Sequence, residues 1–283
     1  MPELPEVETI RRQLAPHLEG RVLAQVDILD HRWTLPAPPE LVAAELTGAR
    51  VQRLARRGKY LIWEFDDGRS LLVHLRMTGS LLLNAEPPPP YVRARLELDD
   101  GAVVSYVDPR RFGTAHLMRS PSARDAYLAA RLGAEPFTPA FTADYLQAQA
   151  RGRTAPVKAF LLDQRRMAGV GNIYADEALY RARVHPLRPA GSLTASQWRD
   201  LKGAIEDALA AGIDAKGASI DDFRHVDGAR GSFQDRFLVH LRAGAPCAAC
   251  GTAIRKIVVG GRGTYVCERC QPRPRIRGRR PAA

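Results

Sequence analysis

The 283-residue chain carries 42 Lys+Arg against 31 Asp+Glu, a net charge of +11, and 45% of its residues are hydrophobic. That apolar content excludes a wholly disordered chain, and no apolar run approaches the about 20 residues needed to cross a bilayer. The length suggests about two domains, and the positive excess favours a polyanionic partner over an acidic small molecule.

In chain order, Met1-Pro2-Glu3-Leu4-Pro5-Glu6 is acidic where a signal peptide would be basic and then apolar, so an intracellular, cytoplasmic protein is expected. Val7, Ile10, Leu14 and Leu18 recur at helical spacing and predict a short amphipathic helix over 5–18, opening at Pro5. From residue 21 to about 118 the texture is β-like, with runs at Lys59–Phe65, Ser70–Arg76, Tyr91–Leu98 and Ala102–Val107. Asp99-Asp100-Gly101 reads as a hairpin turn, and Pro87–Pro90 as a stiff surface loop. A sandwich or flattened barrel is the natural architecture for this half. Helical runs follow at Ser122–Leu132, Thr142–Ala150, Pro156–Gln164, Ile173–Arg183 and Thr194–Ala211, whereas 212–245 reads as loops. The last residues, Pro272–Ala283, hold five arginines and three prolines and read as a basic, disordered tail.

All four cysteines fall in Cys247-x2-Cys250 and Cys267-x2-Cys270, with β-like runs between them around Gly260-Gly261. Two such knuckles supply four thiolates in a tetrahedron, the closed arrangement of structural zinc, and the hairpin between them places Arg262 near its tip. A metal with four sulfur ligands has no open position for substrate, so its expected role is to hold the hairpin. Of the 42 basic residues only five are lysine: Lys59, Lys158, Lys202, Lys216 and Lys256. In such a chain each lysine is informative, because an ammonium can transfer a proton or fit a narrow site and a guanidinium cannot do the former.

Further segments carry candidate chemistry. Gly169-Val170-Gly171-Asn172-Ile173 is a glycine-rich turn feeding a helix N-terminus, a natural phosphate seat, although most such turns are only turns. Asp108-Pro109-Arg110-Arg111-Phe112-Gly113 places two arginines and an aromatic on a turn; Phe112 either wedges into a base stack or packs inward. His74 stands at a strand end, where a lone histidine is more often structural than functional. At the N-terminus, loss of Met1 would leave Pro2 as a secondary amine. An α-amino group titrates near ~8 and lysine near ~10.4, so much more of the former is unprotonated at neutral pH. Such an amine can attack an electrophilic carbon, with Glu3 and Glu6 beside it as acid or base.

Pro2–Thr9, Lys59-Tyr60, His74–Ser80, Asp108–Gly113, Gly169–Glu177 and the four-cysteine ribbon occur in an order that closely resembles the bacterial formamidopyrimidine-DNA glycosylases, over nearly the whole chain. The related endonuclease VIII branch typically has Gly where this chain has Leu4 and lacks the Arg-Arg-Phe-Gly turn, so the oxidised-purine branch is the better match.

The resemblance implies an α+β, multidomain fold. An N-terminal catalytic β-sandwich with an N-terminal helix would span 1–120. A helix–two-turn–helix DNA-binding domain with a lesion-capping loop would occupy 121–235, the zinc ribbon 236–271 and the tail 272–283. It implies a monomer acting on duplex DNA that contains a damaged base, with no membrane partner, one structural zinc and no organic cofactor. Pro2 would be the nucleophile at C1′, Glu3 would protonate the sugar ring oxygen, Glu6 would align the site and Lys59 would transfer protons. Arg262 would grip flanking phosphates. Met77, Arg110 and Phe112 would fill the vacated stack, with Arg111 beside them, and His74, Lys158 and Asn172 would contact phosphates.

Departures from the family pattern are also visible. Tyr91 falls where a DNA-contacting histidine is common, and the Arg153-Thr154 neighbourhood replaces a usual lysine. His240-Leu241 replaces Tyr-Gly, and Ala218 is atypical in the capping segment. A same-fold oxidised-pyrimidine glycosylase and a noncatalytic zinc-ribbon DNA-binding protein are the alternatives; the latter would need neither Pro2 nor Glu3.

Overall fold

The computed structural model describes residues 2–220 and 223–274; Asp221, Asp222 and most of the predicted basic tail, including Arg275, Arg277, Arg279 and Arg280, lie outside the described residues. Two compact units form. The first combines residues 1–135 with 209–236, and the second combines 136–208 with 237–283. The division differs from the expected boundary near 120, because residues 121–135 and the segment from Leu209 to Arg236 belong with the first unit.

The first unit opens with helix α1 (Leu4–Leu18), whose Val7, Ile10, Leu14 and Leu18 are fully buried, the face that the helical spacing predicts. Two four-stranded antiparallel sheets follow. One has the order β1 (Leu23–Ile28), β6 (Val92–Leu98), β7 (Val103–Val107), β5 (Ser80–Leu83). The other has β2 (Val51–Arg57), β3 (Tyr60–Phe65), β4 (Ser70–His74), β8 (Thr114–Met118). Inward residues of both sheets share one core with α1, including Trp63, Phe65, Val73, Leu96 and Tyr106. The unit is therefore a sandwich, as expected.

Strand β3 is buried on both faces: Leu61, Trp63 and Phe65 enter the core, while Tyr60 and Ile62 pack with Leu72 and Leu128. Leu128 lies on α3 (Pro121–Ala129), which is capped by Ser120 rather than beginning at Ser122. A helix not anticipated from sequence, α2 (Pro39–Leu46), interrupts the β-rich region; Pro38-Pro39 starts it, and Val42 and Leu46 bury its inner side.

The second unit contains α4 (Ala143–Ala150), α5 (Val157–Leu162), α6 (Asn172–Arg181) and most of α7 (Ala195–Asp214). Thr142 caps α4 as predicted, and Phe160 packs edge-on against Trp198. Strands β9 (Arg255–Val259) and β10 (Arg262–Val266) form the ribbon hairpin, with Val259 opposite Arg262. Gly260 and Gly261 both take positive φ, +55° and +73°, which a two-residue hairpin turn of this kind requires. The stretch 212–245 is less irregular than expected, since α7 runs to Asp214 and a 3-10 turn spans Phe233–Arg236. Among the described residues no helix is long and apolar enough to cross a membrane.

Candidate functional site

At the start of α1, Glu3 has extended backbone and its N–H donates to Glu6 Oε2 at 2.8 Å, half of a capping-box arrangement. Glu6 Oε1 also accepts from the Ala218 N–H at 2.8 Å, so one carboxylate ties the helix start to the 217–218 segment. Gly217 has φ +80°, and a Cβ there would fall 2.9 Å from Glu6 Cγ; only glycine allows this approach. Pro2, Glu3 and Glu6 are all buried.

Lys59, 5% exposed, lies in the turn between β2 and β3, and that turn is held by two carboxylates, Glu135 directly and Glu8 through Arg56. Glu135 accepts from Gly58 N–H at 2.7 Å and from Arg57 at 2.6 Å, and it also pairs with Arg56. Arg56 Nε in turn donates to Glu8 Oε2 at 3.0 Å. Burial pushes the Glu8 carboxyl up, but hydrogen bonds from Arg11, Arg12 and Arg56 outweigh it and hold the group down at about 2. Arg56 thus bridges α1, just beyond Pro2 and Glu3, to the turn that carries Lys59.

His74 lies opposite Tyr60 in the β3–β4 register, and the two rings meet edge-on at 4.8 Å. Burial, then the charges of Arg76 and Lys59, depresses its pKa to about 3, so the imidazole is neutral at pH 7. Its Nδ1 accepts from the Arg76 N–H at 3.0 Å, which leaves the proton on Nε2 as a donor.

The 108–113 turn stands on Asp108, which is 1% exposed. Its carboxylate accepts from Gly113 N–H at 2.8 Å, Tyr106 Oη at 3.1 Å and Arg110 N–H at 3.2 Å, and from the Thr78 hydroxyl. Thr78 belongs to the 74–80 segment, so Asp108 staples that segment to the arginine turn. A Cβ on Gly113 would fall 1.6 Å from Tyr106 Oη, which makes glycine obligatory there. Above this support Met77 is 38% and Phe112 50% exposed, resolving the choice for Phe112 in favour of an outward ring. The Arg110 guanidinium lies 4.9 Å from the Phe112 ring centroid. Arg111, by contrast, turns to Asp30 with bonds of 2.5 and 2.7 Å, and these hold Asp30 down at about 2 against its burial. Its guanidinium serves the scaffold. Tyr91 is 57% exposed at φ +64°, with the Arg93 guanidinium 5.8 Å from its ring.

In the second unit, Lys158 is completely buried, not at the surface that the expected phosphate contact requires. Its ammonium donates to Asp176 Oδ1 at 2.7 Å, Thr264 Oγ1 at 2.8 Å and Gly263 O at 3.2 Å. Three hydrogens meet three acceptors within the unit. Asn172, first residue of α6, also turns inward: Nδ2 donates to Gly263 O at 3.0 Å. His240 Nδ1 lies 2.8 Å from Asp176 Oδ2, and Glu177 accepts the N–H groups of Leu238, Val239 and His240, each at 3.0 Å. Arg262 remains exposed at the start of β10. Arg153 is exposed and donates to Gln149 O at 2.8 Å.

The four cysteine sulfurs all lie within 4.8 Å of one another, with 3.5 Å between Cys250 and Cys267 and 3.8 Å between Cys247 and Cys270. Zinc–sulfur bonds of about 2.3 Å place tetrahedral thiolates about 3.8 Å apart, so the donor set fits one structural zinc. Tyr180 Oη, 3.1 Å from Cys247 Sγ, supplies an outer hydrogen bond, and Val239, Ile254 and Tyr265 pack around the knuckles.

Asp108 and Asp176 both lie inside segments singled out from sequence, but their roles show only in their partners. Glu135, Asp30 and Thr264 had no local signal.

Three family models match the chain in order: the formamidopyrimidine-DNA glycosylase N-terminal domain over residues 1–115, the formamidopyrimidine-DNA glycosylase H2TH domain over 132–224, and a zinc finger found in FPG and IleRS over 244–273. The formamidopyrimidine-DNA glycosylase of Roseobacter denitrificans is 42% identical, over 96% of this chain and 100% of that protein. The crystal structure of the MutM (Fpg) protein from Thermus thermophilus superposes with TM-score 0.86 at 43% identity, covering 95% of this chain and 98% of that one. A Lactococcus lactis Fpg bound to Fapy-dG-containing DNA gives TM-score 0.88 at 34% identity, covering 96% and 100%.

Proposed function

The chain belongs to the formamidopyrimidine-DNA glycosylase family, and from this we propose that it is a bifunctional DNA glycosylase and abasic-site lyase of base excision repair. It removes oxidised purines, 8-oxoguanine and formamidopyrimidine, from duplex DNA. The observation that carries this reading is the buried start of α1, where Pro2 and Glu3 precede a helix tied through Glu8 and Arg56 to the Lys59 turn.

The mature Pro2 amine attacks C1′ of the extruded nucleotide and the bond to the base breaks. Glu3 protonates the ring oxygen as the sugar opens, leaving an iminium between Pro2 and C1′. The iminium acidifies the C2′ proton, so β-elimination expels the 3′ phosphate and δ-elimination the 5′ phosphate; water then frees Pro2. Glu6, bonded to both Glu3 and Ala218, holds the acid beside the lesion segment, and Lys59 shuttles protons. Met77, Arg110 and Phe112 occupy the vacated stack, and an exposed aromatic with a guanidinium over it suits that task. His74 presents a neutral donor to a phosphate, and Tyr91, Arg153 and Arg262 contribute further backbone contacts. The zinc keeps the ribbon rigid and takes no part in bond making. A cytoplasmic monomer acting on chromosomal DNA fits this substrate.

Borohydride reduction during reaction with an 8-oxoguanine duplex is expected to trap a covalent adduct, and Pro2→Gly to lower trapping by at least about 1000-fold. Greater trapping on a thymine glycol duplex would move the assignment to the pyrimidine branch. Salt-sensitive binding with no adduct on either duplex would leave a noncatalytic DNA-binding protein.

A further inference from the structure

Arg262 stands immediately after two glycines that both take positive φ. Glycine backbone is the most costly to order, so an arginine there grips a phosphate well only if something immobilises its main chain. Thr264, fully buried, donates its hydroxyl to the Arg262 carbonyl at 3.0 Å and accepts from Lys158 Nζ at 2.8 Å. Lys158 is itself held by Asp176 Oδ1, and the neighbouring Gly263 carbonyl receives both Lys158 Nζ and Asn172 Nδ2. Asp176 Oδ2 also meets His240 Nδ1 and accepts from the Tyr265 N–H at 3.4 Å. A continuous chain therefore runs from Asp176 through Lys158 and Thr264 to the backbone of Arg262, and two successive carbonyls at the ribbon tip are fixed from below.

We propose that Thr264 and Asp176 are positioning residues for Arg262, and that Lys158 acts on DNA through this clamp on β10 rather than by touching a phosphate. The inference rests on Arg262 gripping DNA, as the proposed function has it. The physical reason lies in the donor count: an ammonium has three hydrogens, and all three already have acceptors inside the unit. Arginine in place of Lys158 could not reproduce this arrangement, because a planar guanidinium does not fit three acceptors disposed around a point.

The test is a double-mutant cycle in the zinc-loaded full chain, read as affinity for a duplex carrying a tetrahydrofuran abasic analogue at fixed salt. Thr264→Val is expected to weaken binding about five- to tenfold in the parent and less than about twofold in the Arg262→Ala background, with Thr264→Ser restoring the parent value. Equal losses in both backgrounds would overturn the proposal, as would full affinity of Thr264→Val in the parent. Zinc content is measured on every variant; if Thr264→Val fails to retain one zinc, Asp176→Asn takes its place in the same cycle with the same criteria. Borohydride trapping on an abasic-site duplex is run on the parent alongside. Absence of an adduct there counts against the catalytic reading, whereas the cycle alone decides the clamp.

Discussion

The 108–113 turn and the ribbon tip each present an exposed arginine, Arg110 and Arg262, yet their supports have opposite sign. Beneath Arg110 the loop's free groups are N–H and O–H donors, and a buried carboxylate, Asp108, gathers them. Beneath Arg262 the free groups are carbonyls, and a buried ammonium, Lys158, binds the Gly263 carbonyl directly and the Arg262 carbonyl through the Thr264 hydroxyl. The charge under a loop thus follows from which end of the peptide unit the loop leaves unpaired. It also has a cost that differs between the two. Asp108 is satisfied by several neutral donors, whereas Lys158 is compensated by a second buried charge, Asp176. The ribbon support is therefore the more fragile of the two.

Lys158→Met provides the largest test of that contrast. It strands Asp176 with only His240 as a side-chain partner among the described residues, and a loss of about 3–5 kcal/mol in urea unfolding is expected. Adding Asp176→Leu should recover most of it, because two apolar residues leave no stranded charge. A loss below about 1 kcal/mol for Lys158→Met would break the comparison. Gly113→Ala probes the other support: with a Cβ 1.6 Å from Tyr106 Oη, the turn must shift, at a cost of about 1–3 kcal/mol. The urea midpoint should fall at constant m-value, and an unchanged midpoint would mean the turn yields freely.

A third test concerns His74. Its folded pKa, about 3, lies below the ordinary value near 6.5, so the unfolded chain binds a proton first as pH falls. This contribution is complete above about pH 6.5 and declines towards pH 3, with a slope of at most about 1.4 kcal/mol per pH unit. His74→Gln should flatten the stability–pH curve across that window by up to this slope; the same curve in both proteins would place the imidazole in water.

Local signals proved legible. The α1 stripe, the hairpins at Asp99–Gly101 and Gly260-Gly261, the Thr142 cap and the cysteine knuckles appear where spacing put them. Each depends on a few adjacent residues whose dihedrals or ligand geometry leave little choice. Helix α2 was missed because eight residues, only two of them buried, make too short a period to stand out from the strands around it.

The family, the zinc site, the identity of the candidate nucleophile and the need for a polyanionic partner all follow from residue types and their spacing. Only the folded chain shows that Phe112 faces outward, that Arg111 belongs to Asp30, that Glu135 reaches back to Gly58, and that the Lys158 ammonium points inward to Asp176 and Thr264. The reason is that spacing governs chemistry among neighbours, whereas a buried charge takes its partner from wherever the folded chain returns, 77 residues away for Glu135 and 106 for Thr264.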